Sequence, residues 1–263
     1  MNFYNMTGTS IKLNADGVIK PLLNKMHTCQ HIILFGLRSL AQIDHFPEEV
    51  DEEKEAFNLQ IGELPSDLDS HKSNYKLWLL KKGFEDLAQG LKLALMEAYY
   101  YVSIIEKKDD LKTYGKFKAE VEKLKKTAIE QSLPGITNKV KPLLTNNLNY
   151  IDEIESINLA RNCLVHADGF ITDRHINDKE NERLIVKGLR WKLFYEDNGH
   201  EIEVGAGSVV PAGKAVKMTQ ENFELYFNKG QRIDITYKDF NNFIKTCFQF
   251  GEDLKSKLPA LKN

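Results

Sequence analysis

An arginine, an asparagine and a histidine fall within six residues of one another in RNCLVHADG, residues 161–169, and the run stops at a glycine. The residues before it read as a packed helix, where cations are uncommon unless something satisfies them. A helix advances about 100° per residue, so Asn162 and His166, four apart, nearly share an azimuth and Arg161 lies on the adjoining flank. Each group brings a different chemistry. A guanidinium grips phosphate with a planar fork of donors, an imidazole exchanges a proton near neutral pH, and an amide hydrogen-bonds the ring or a ligand oxygen. Arg161 also falls in register with Ile154, Ile157 and Leu164, the face expected to pack, so its charge wants a carboxylate, a partner chain or a polar cleft. Two such helices meeting about a two-fold axis would line one groove with two arginines and two histidines, a positive surface suited to a phosphodiester. His166 stands in the last turn, where the helix dipole favours positive charge, so roles as acid and as base are both open to it.

The helix that carries these residues is expected over 148–167. Asn147 is its candidate cap, Asp152 and Glu153 lie near its positive end, and Gly169 follows its last turn. The strongest periodic signal precedes it: Leu77, Leu80, Phe84, Leu87, Leu91, Ala94, Ala98, Tyr101 and Ile105 alternate steps of three and four. That stripe predicts a long helix with one face buried against others, begun at a Ser73 cap. Val18, Leu22, Met26, Cys29, Ile33, Leu37 and Leu40 predict a first helix over 18–43. The acidic run EEVDEEKE and the segment LPSDLDSHKS read as a solvated connection. Phe117, Val121, Leu124 and Ala128 predict a Lys-rich helix ended by Pro134 and Gly135.

Beyond Gly169 the period changes. RLIVKG, RWKLFY and HEIEV are short and rich in β-branched and aromatic residues, and EDNG supplies an Asn-Gly turn between the last two. A further strand, RIDITY, and a terminal amphipathic helix over 238–257 complete the chain. The fold class is therefore mainly α: an antiparallel helical bundle with a small antiparallel β insertion, residues 171–237, before the C-terminal helix. All 263 residues form one domain in this reading.

Other motifs fail on chemistry. GAGSVVPAGKA lacks a phosphate loop's glycine at Ser208 and its hydroxyl at Ala215, and a dinucleotide fingerprint fails at Val210, which leaves a loop between strands. His27 and His31 have zinc-ligand spacing. Thr28 stands where a zinc peptidase needs its glutamate and no third ligand is identifiable, so no metal and no cofactor are expected. No GxSxG elbow anchors serine-hydrolase chemistry. Tyr99, Tyr100 and Tyr101 have stacking surfaces but fit a helical core.

A net charge of −2 excludes a uniformly basic coat, so any nucleic-acid surface must be local. Cys29, Cys163 and Cys247 are an odd, scattered set that suits a reducing compartment, and the longest apolar run, IILFGL, is too short to span a bilayer. A cytoplasmic, soluble protein with no membrane partner is expected.

On residues 161–169 the chain resembles the HEPN family, α-helical modules of prokaryotic defence and toxin systems, many of them metal-independent endoribonucleases. The family's mark is an arginine, four to six intervening residues and a histidine, commonly with a polar residue directly after the arginine. Arg161, Asn162, the apolar CLV and His166 follow that form, and the HADG ending is familiar from such proteins. The long helix LLKKGFEDLAQGLKLALMEAYYYVSIIE looks like the preceding helix of the same bundle. The likeness covers residues 18–169 and the terminal helix, and the β segment resembles nothing in it. Arg38 and His45, in RSLAQIDH, satisfy a longer form of the spacing but run into Pro47, and are read as an accident.

The resemblance implies a homodimer with a composite groove that takes RNA, with an antitoxin or regulatory protein as a further partner. It implies catalysis by Arg161, Asn162 and His166, through attack of the RNA 2′-hydroxyl on the adjacent phosphate. In HEPN toxins silenced by nucleotidylation, a tyrosine stands two positions after the histidine; here that position is Asp168, so regulation of that kind is not expected. Two other readings accompany this one. In the first, the module binds RNA, nucleotide or protein without catalysis. In the second, the bundle is purely structural, with Arg161 paired to Glu85 or Asp86 and His166 capping its helix.

Overall fold

The computed structural model describes residues 2–6, 9–44, 67–111, 113–205 and 207–260. Seven α-helices, an antiparallel hairpin and a three-stranded antiparallel sheet are present among them. The hairpin, β1 (Asn2–Met6) and β2 (Thr9–Lys12), pairs Asn2 with Lys12 and Phe3 with Ile11. The acidic run EEVDEEKE and His45 lie outside the described residues.

The expected first helix is present as α1 (Lys20–Thr28) and α2 (Leu34–Leu40), joined without a break by the π-helical turn Cys29–Ile33. Leu34 N–H bonds to Cys29 O across that turn. The inserted residue shifts the packing face, so that Leu22, Met26, Cys29, Ile33 and Leu37 all stay buried although their spacing drifts from the ideal period.

The central element is α3 (Leu68–Glu106), 39 residues long, which spans about 58 Å at the helical rise and touches every other helix. The apolar stripe supplies its core: Leu80, Phe84, Leu87, Leu91, Ala94, Ala98 and Tyr101 are buried. Its start corrects the expected Ser73 cap. Asp67 caps it, its carboxylate accepting Ser70 N–H at 2.8 Å, so part of the segment read as a connection is helix. Tyr101 is buried with its hydroxyl on Pro259 O, and Tyr99 and Tyr100 pack against the core.

Helix α4 (Tyr114–Ile129) buries Leu124 and Ala128. Pro134 and Gly135 do not end it; they open α5 (Leu133–Val140), where Ser132 Oγ accepts Gly135 N–H and the proline sits in the first turn, where its missing N–H is not needed. Helix α6 (Ile151–His166) begins later than expected. Its cap is Tyr150, at φ 63°, and not Asn147. Asn149 anchors the approach through two 2.8 Å bonds to the Asp253 carboxylate of the terminal helix.

RLIVKG and RWKLFY are one strand, β3 (Arg183–Asp197), the centre of the sheet. The Asn198–Gly199 turn, at φ 50° and 80°, leads into β4 (His200–Glu203), and the long β5 (Lys217–Asn228) pairs along β3 from Arg183↔Asn228 to Phe194↔Lys217. RIDITY is not a strand: Arg232 makes one isolated bridge with Phe170, Ile233 and Ile235 enter the core, and Thr236 caps α7 (Tyr237–Ser256).

Sheet and helices are bolted together through the open edge of β3. The N–H groups of Ile185, Lys187 and Leu189 donate to Asn177 Oδ1, Ser156 Oγ of α6 and Thr246 Oγ1 of α7 at 2.7, 2.9 and 2.8 Å. Side chains thus complete what a missing strand would have supplied. At the same junction Gly188 leaves no room for a side chain: a Cβ there would stand 2.5 Å from the Phe223 ring and 3.1 Å from that of Phe243. Gly188→Ala should cost about 1–3 kcal/mol by overpacking, read as a lowered urea midpoint with an unchanged m-value; an unaltered midpoint would show that the rings yield freely.

Among the described residues no helix is long and apolar enough to cross a membrane.

Candidate functional site

Helix α6 buries Ile154, Ser156, Ile157, Ala160, Cys163 and Leu164 against α3 and β3. Arg161 and Asn162 follow this face on its shoulder and are half-buried, and His166 is exposed in the last turn. The helix is closed tightly beyond them. Cys163 O accepts both Ala167 N–H and Gly169 N–H, at 3.0 and 3.1 Å, while Asp168 and Gly169 take φ of 48° and 83°. The left-handed Gly169 position explains why the motif stops at a glycine. Its carbonyl then accepts Ile233 N–H at 2.8 Å, and Ile171 exchanges backbone bonds with Gly230 and Gln231. A segment sixty residues away is therefore stitched to the end of α6.

The three side chains singled out by the sequence come together. Arg161 Nη1 donates to Asn162 Oδ1 at 3.0 Å and lies 3.3 Å from His166 Nε2. A guanidinium has only donors, so this second contact is attractive with Nε2 as acceptor, which assigns the proton of the neutral ring to Nδ1. No carboxylate lies within 4 Å of Arg161 among the described residues. The pairing with Asp86 does not form: that carboxylate is buried on α3 and is taken by Lys25 at 2.9 Å and Lys82 at 3.6 Å. Glu85 makes no ion pair with Arg161 either. The arginine therefore presents an uncompensated charge in a half-exposed position.

Cys163, inside the motif, is not a nucleophile. Burial pushes its thiol up to about 12, and its Sγ donates to Phe170 O at 3.1 Å.

The structure adds groups that the motif did not reveal. His175 is buried at 6 % exposure, its Nδ1 accepting Thr172 N–H at 3.2 Å, so the neutral ring carries its proton on Nε2. Burial holds its pKa below the ordinary 6.5, and the nearby charge of Arg174, joined by that of His166 when its ring is protonated, acts in the same direction. Arg232 reaches the end of α6 from the segment after β5, its Nε donating to Asp168 O at 2.9 Å and its guanidinium carbon 5.3 Å from the centre of the Phe170 ring. His175 had a local signal, since HADGFITDRH continues the polar run; Arg232 had none, because its approach depends on a backbone bridge between distant segments.

A pH dependence follows from His175. Its depressed pKa means that the unfolded chain binds more protons than the folded one as pH falls below 6.5, so the stabilisation is complete above that value and is lost on acidification. Between about pH 8 and pH 5, wild-type Tm should fall more steeply than that of His175→Asn, whose amide can still accept the Thr172 bond; parallel curves would remove His175 from the acid response.

The remaining motifs stand apart. His27 and His31 lie side by side on an exposed helix flank, their ring centroids 4.2 Å apart and their planes tilted by 44°, and no group of three or more metal-ligating side chains is found among the described residues. Residues 205 and 207–215 lie between β4 and β5, where Gly205 N–H donates to Ser208 Oγ; Ala206 lies outside the described residues. Arg38 stacks over Tyr237. Comparison with known proteins finds no matching family model, no matching curated protein and no matching solved structure.

Proposed function

We propose that the chain is a HEPN-like, metal-independent endoribonuclease that works as a homodimer, its groove formed where the two α6 ends face each other. The observation that carries this reading is the half-exposed cluster of Arg161, Asn162 and His166, with the guanidinium and imidazole 3.3 Å apart and no carboxylate neutralising the arginine. Its helices, packed around α3 with the motif helix against it, are compatible with a HEPN-like bundle.

In the reaction His166 Nε2 takes the proton of the RNA 2′-hydroxyl as that oxygen bonds to the adjacent phosphorus. The bond from phosphorus to the 5′-oxygen breaks, and an imidazolium, of this chain or its partner, returns a proton to the leaving oxygen. Arg161 leaves its resting contact with the ring to hold the phosphate oxygens as charge builds on them, and Asn162 keeps the guanidinium in place. The products are a 2′,3′-cyclic phosphate and a free 5′-hydroxyl. No metal is required, because the nucleophile belongs to the substrate and the charged groups belong to the chain.

The test is incubation of the purified protein with single-stranded and hairpin RNA in excess chelator, followed by analysis of the product ends. Cyclic phosphate and 5′-hydroxyl ends are expected. Intact RNA that is nonetheless bound would make this a binding module, with Arg161 and His166 retained for ligand contact.

A further inference from the structure

Phe170 is 48 % exposed, yet nothing about its backbone is loose. Its N–H donates to Ala167 O at 2.8 Å, its carbonyl accepts from Cys163 Sγ at 3.1 Å, and it is bridged to Arg232 in the isolated antiparallel pair. A large apolar ring is thus held rigidly and half in water at the end of the helix that carries His166. Arg232 lies over it at 5.3 Å, and the bond from Nε to Asp168 O fixes the direction of the guanidinium. Arg232 also lines a recess of about 220 Å³ with Ser73 and Lys76 of α3, so there is room beside it.

Arg183 and Arg190 are held by Asp178 and Glu221, at 2.6 and 2.8 Å. Arg161, Arg174 and Arg232, which surround the end of α6, have no carboxylate partner within 4 Å among the described residues. Asp168 stands among them, and Asp234, which also lines the recess, is paired with Lys76, so these guanidiniums are the cations left without a carboxylate contact there. The turn over 167–170 keeps the Phe170 Cα within about 7 Å of that of Ala167, the residue after His166. Phe170 thus follows the motif at the same end of α6 that carries His166.

We propose that Phe170 and Arg232 form a stacking platform for an unpaired nucleobase of RNA at the end of α6, on the same helix end as the Arg161–His166 cluster. This rests on the nuclease reading above. Every base has a π face that an aromatic ring or a guanidinium plane can cover, so such a platform tolerates sequence. A duplex offers no such face, because its bases are already stacked on one another. The platform thus selects for strandedness and leaves sequence largely unread.

The full-length protein carrying His166→Ala, to prevent cleavage, is titrated with a short single-stranded RNA containing 2-aminopurine and with the matching duplex. The single strand should bind more tightly, with quenching of the fluorescent base. Adding Phe170→Leu should weaken single-strand binding about 5- to 150-fold and remove the quenching, Phe170→Tyr should retain both, and Arg232→Gln should weaken binding without unfolding the chain. Equal affinity for single strand and duplex, or unchanged binding and quenching in Phe170→Leu, overturns the platform. Cleavage is assayed separately with His166 intact. Cleavage together with Phe170-independent binding sinks the platform and spares the nuclease; Phe170-dependent binding with no cleavage does the reverse; no RNA binding at all overturns both.

Discussion

Replacing His166 with alanine should lower RNA cleavage by about 10²–10⁴-fold while leaving the fold and RNA binding nearly intact. The size of the loss follows from what the imidazole would supply in the proposed reaction: a lone pair at Nε2, held 3.3 Å from the Arg161 guanidinium, to take the proton of the attacking hydroxyl. The fold should survive because the ring is exposed in the last turn of α6 and is not part of the hydrophobic core. Arg161→Ala should cost about 10²–10³-fold, and Arg161→Lys should recover little, since an ammonium cannot span the phosphate oxygens and Asn162 as a planar fork does. The measurement is single-turnover cleavage in chelator, with thermal unfolding run on each variant. An alanine variant at position 166 that cleaves at the wild-type rate would remove this site from the reaction, wherever else activity resided.

Phe243→Ala should cost about 3–5 kcal/mol. Phe243 is fully buried on α7 and joins the two halves of the molecule. Its ring lies 5.6 Å from Phe84 of α3 and 5.3 Å from Phe223 of β5, and it closes the space over Gly188. Truncation opens a cavity and removes two aromatic pairs, each worth about 0.5–1.5 kcal/mol beyond its area. The neighbours cannot collapse into the gap, because α7 and β3 are also tied by the bond from Leu189 N–H to Thr246 Oγ1. For a chain of this size the loss corresponds to about 6–20 °C in Tm. Phe35→Ala, at a ring 69 % exposed, should shift Tm little and serves as the control. Equal shifts for the two would mean that Phe243 does not bridge helices and sheet.

Much of the helical architecture was legible because burial imprints a period on the chain. The three-four stripe from Leu77 to Ile105 could bury one face only as a helix, and α3 does so. The Asn198–Gly199 turn was legible for a local reason, since both residues tolerate the positive φ that the hairpin needs. The errors lay where two local meanings compete. Pro134 and Gly135 suit a helix end as well as a helix start, and Ser132 bonding to Gly135 decided for the start. Ser73 is an acceptable cap that Asp67 pre-empted six residues earlier. The alternation of Phe223, Leu225 and Phe227 carries the strand period of β5, whereas RIDITY has strand composition but no partner beyond one bridge.

The sequence by itself determined that Arg161, Asn162 and His166 share one helix end, because their spacing and the helical period leave them no other arrangement. It could not determine whether the arginine would be neutralised inside the bundle. That was decided by tertiary packing, in which Lys25 and Lys82 take Asp86 and leave Arg161 uncompensated. Nor could it place Arg232 over Phe170 or His175 near His166. Helical periodicity is a property of neighbours along the chain, while the bridge between residues 170 and 232 depends on how β3 and β5 return the chain to the end of α6.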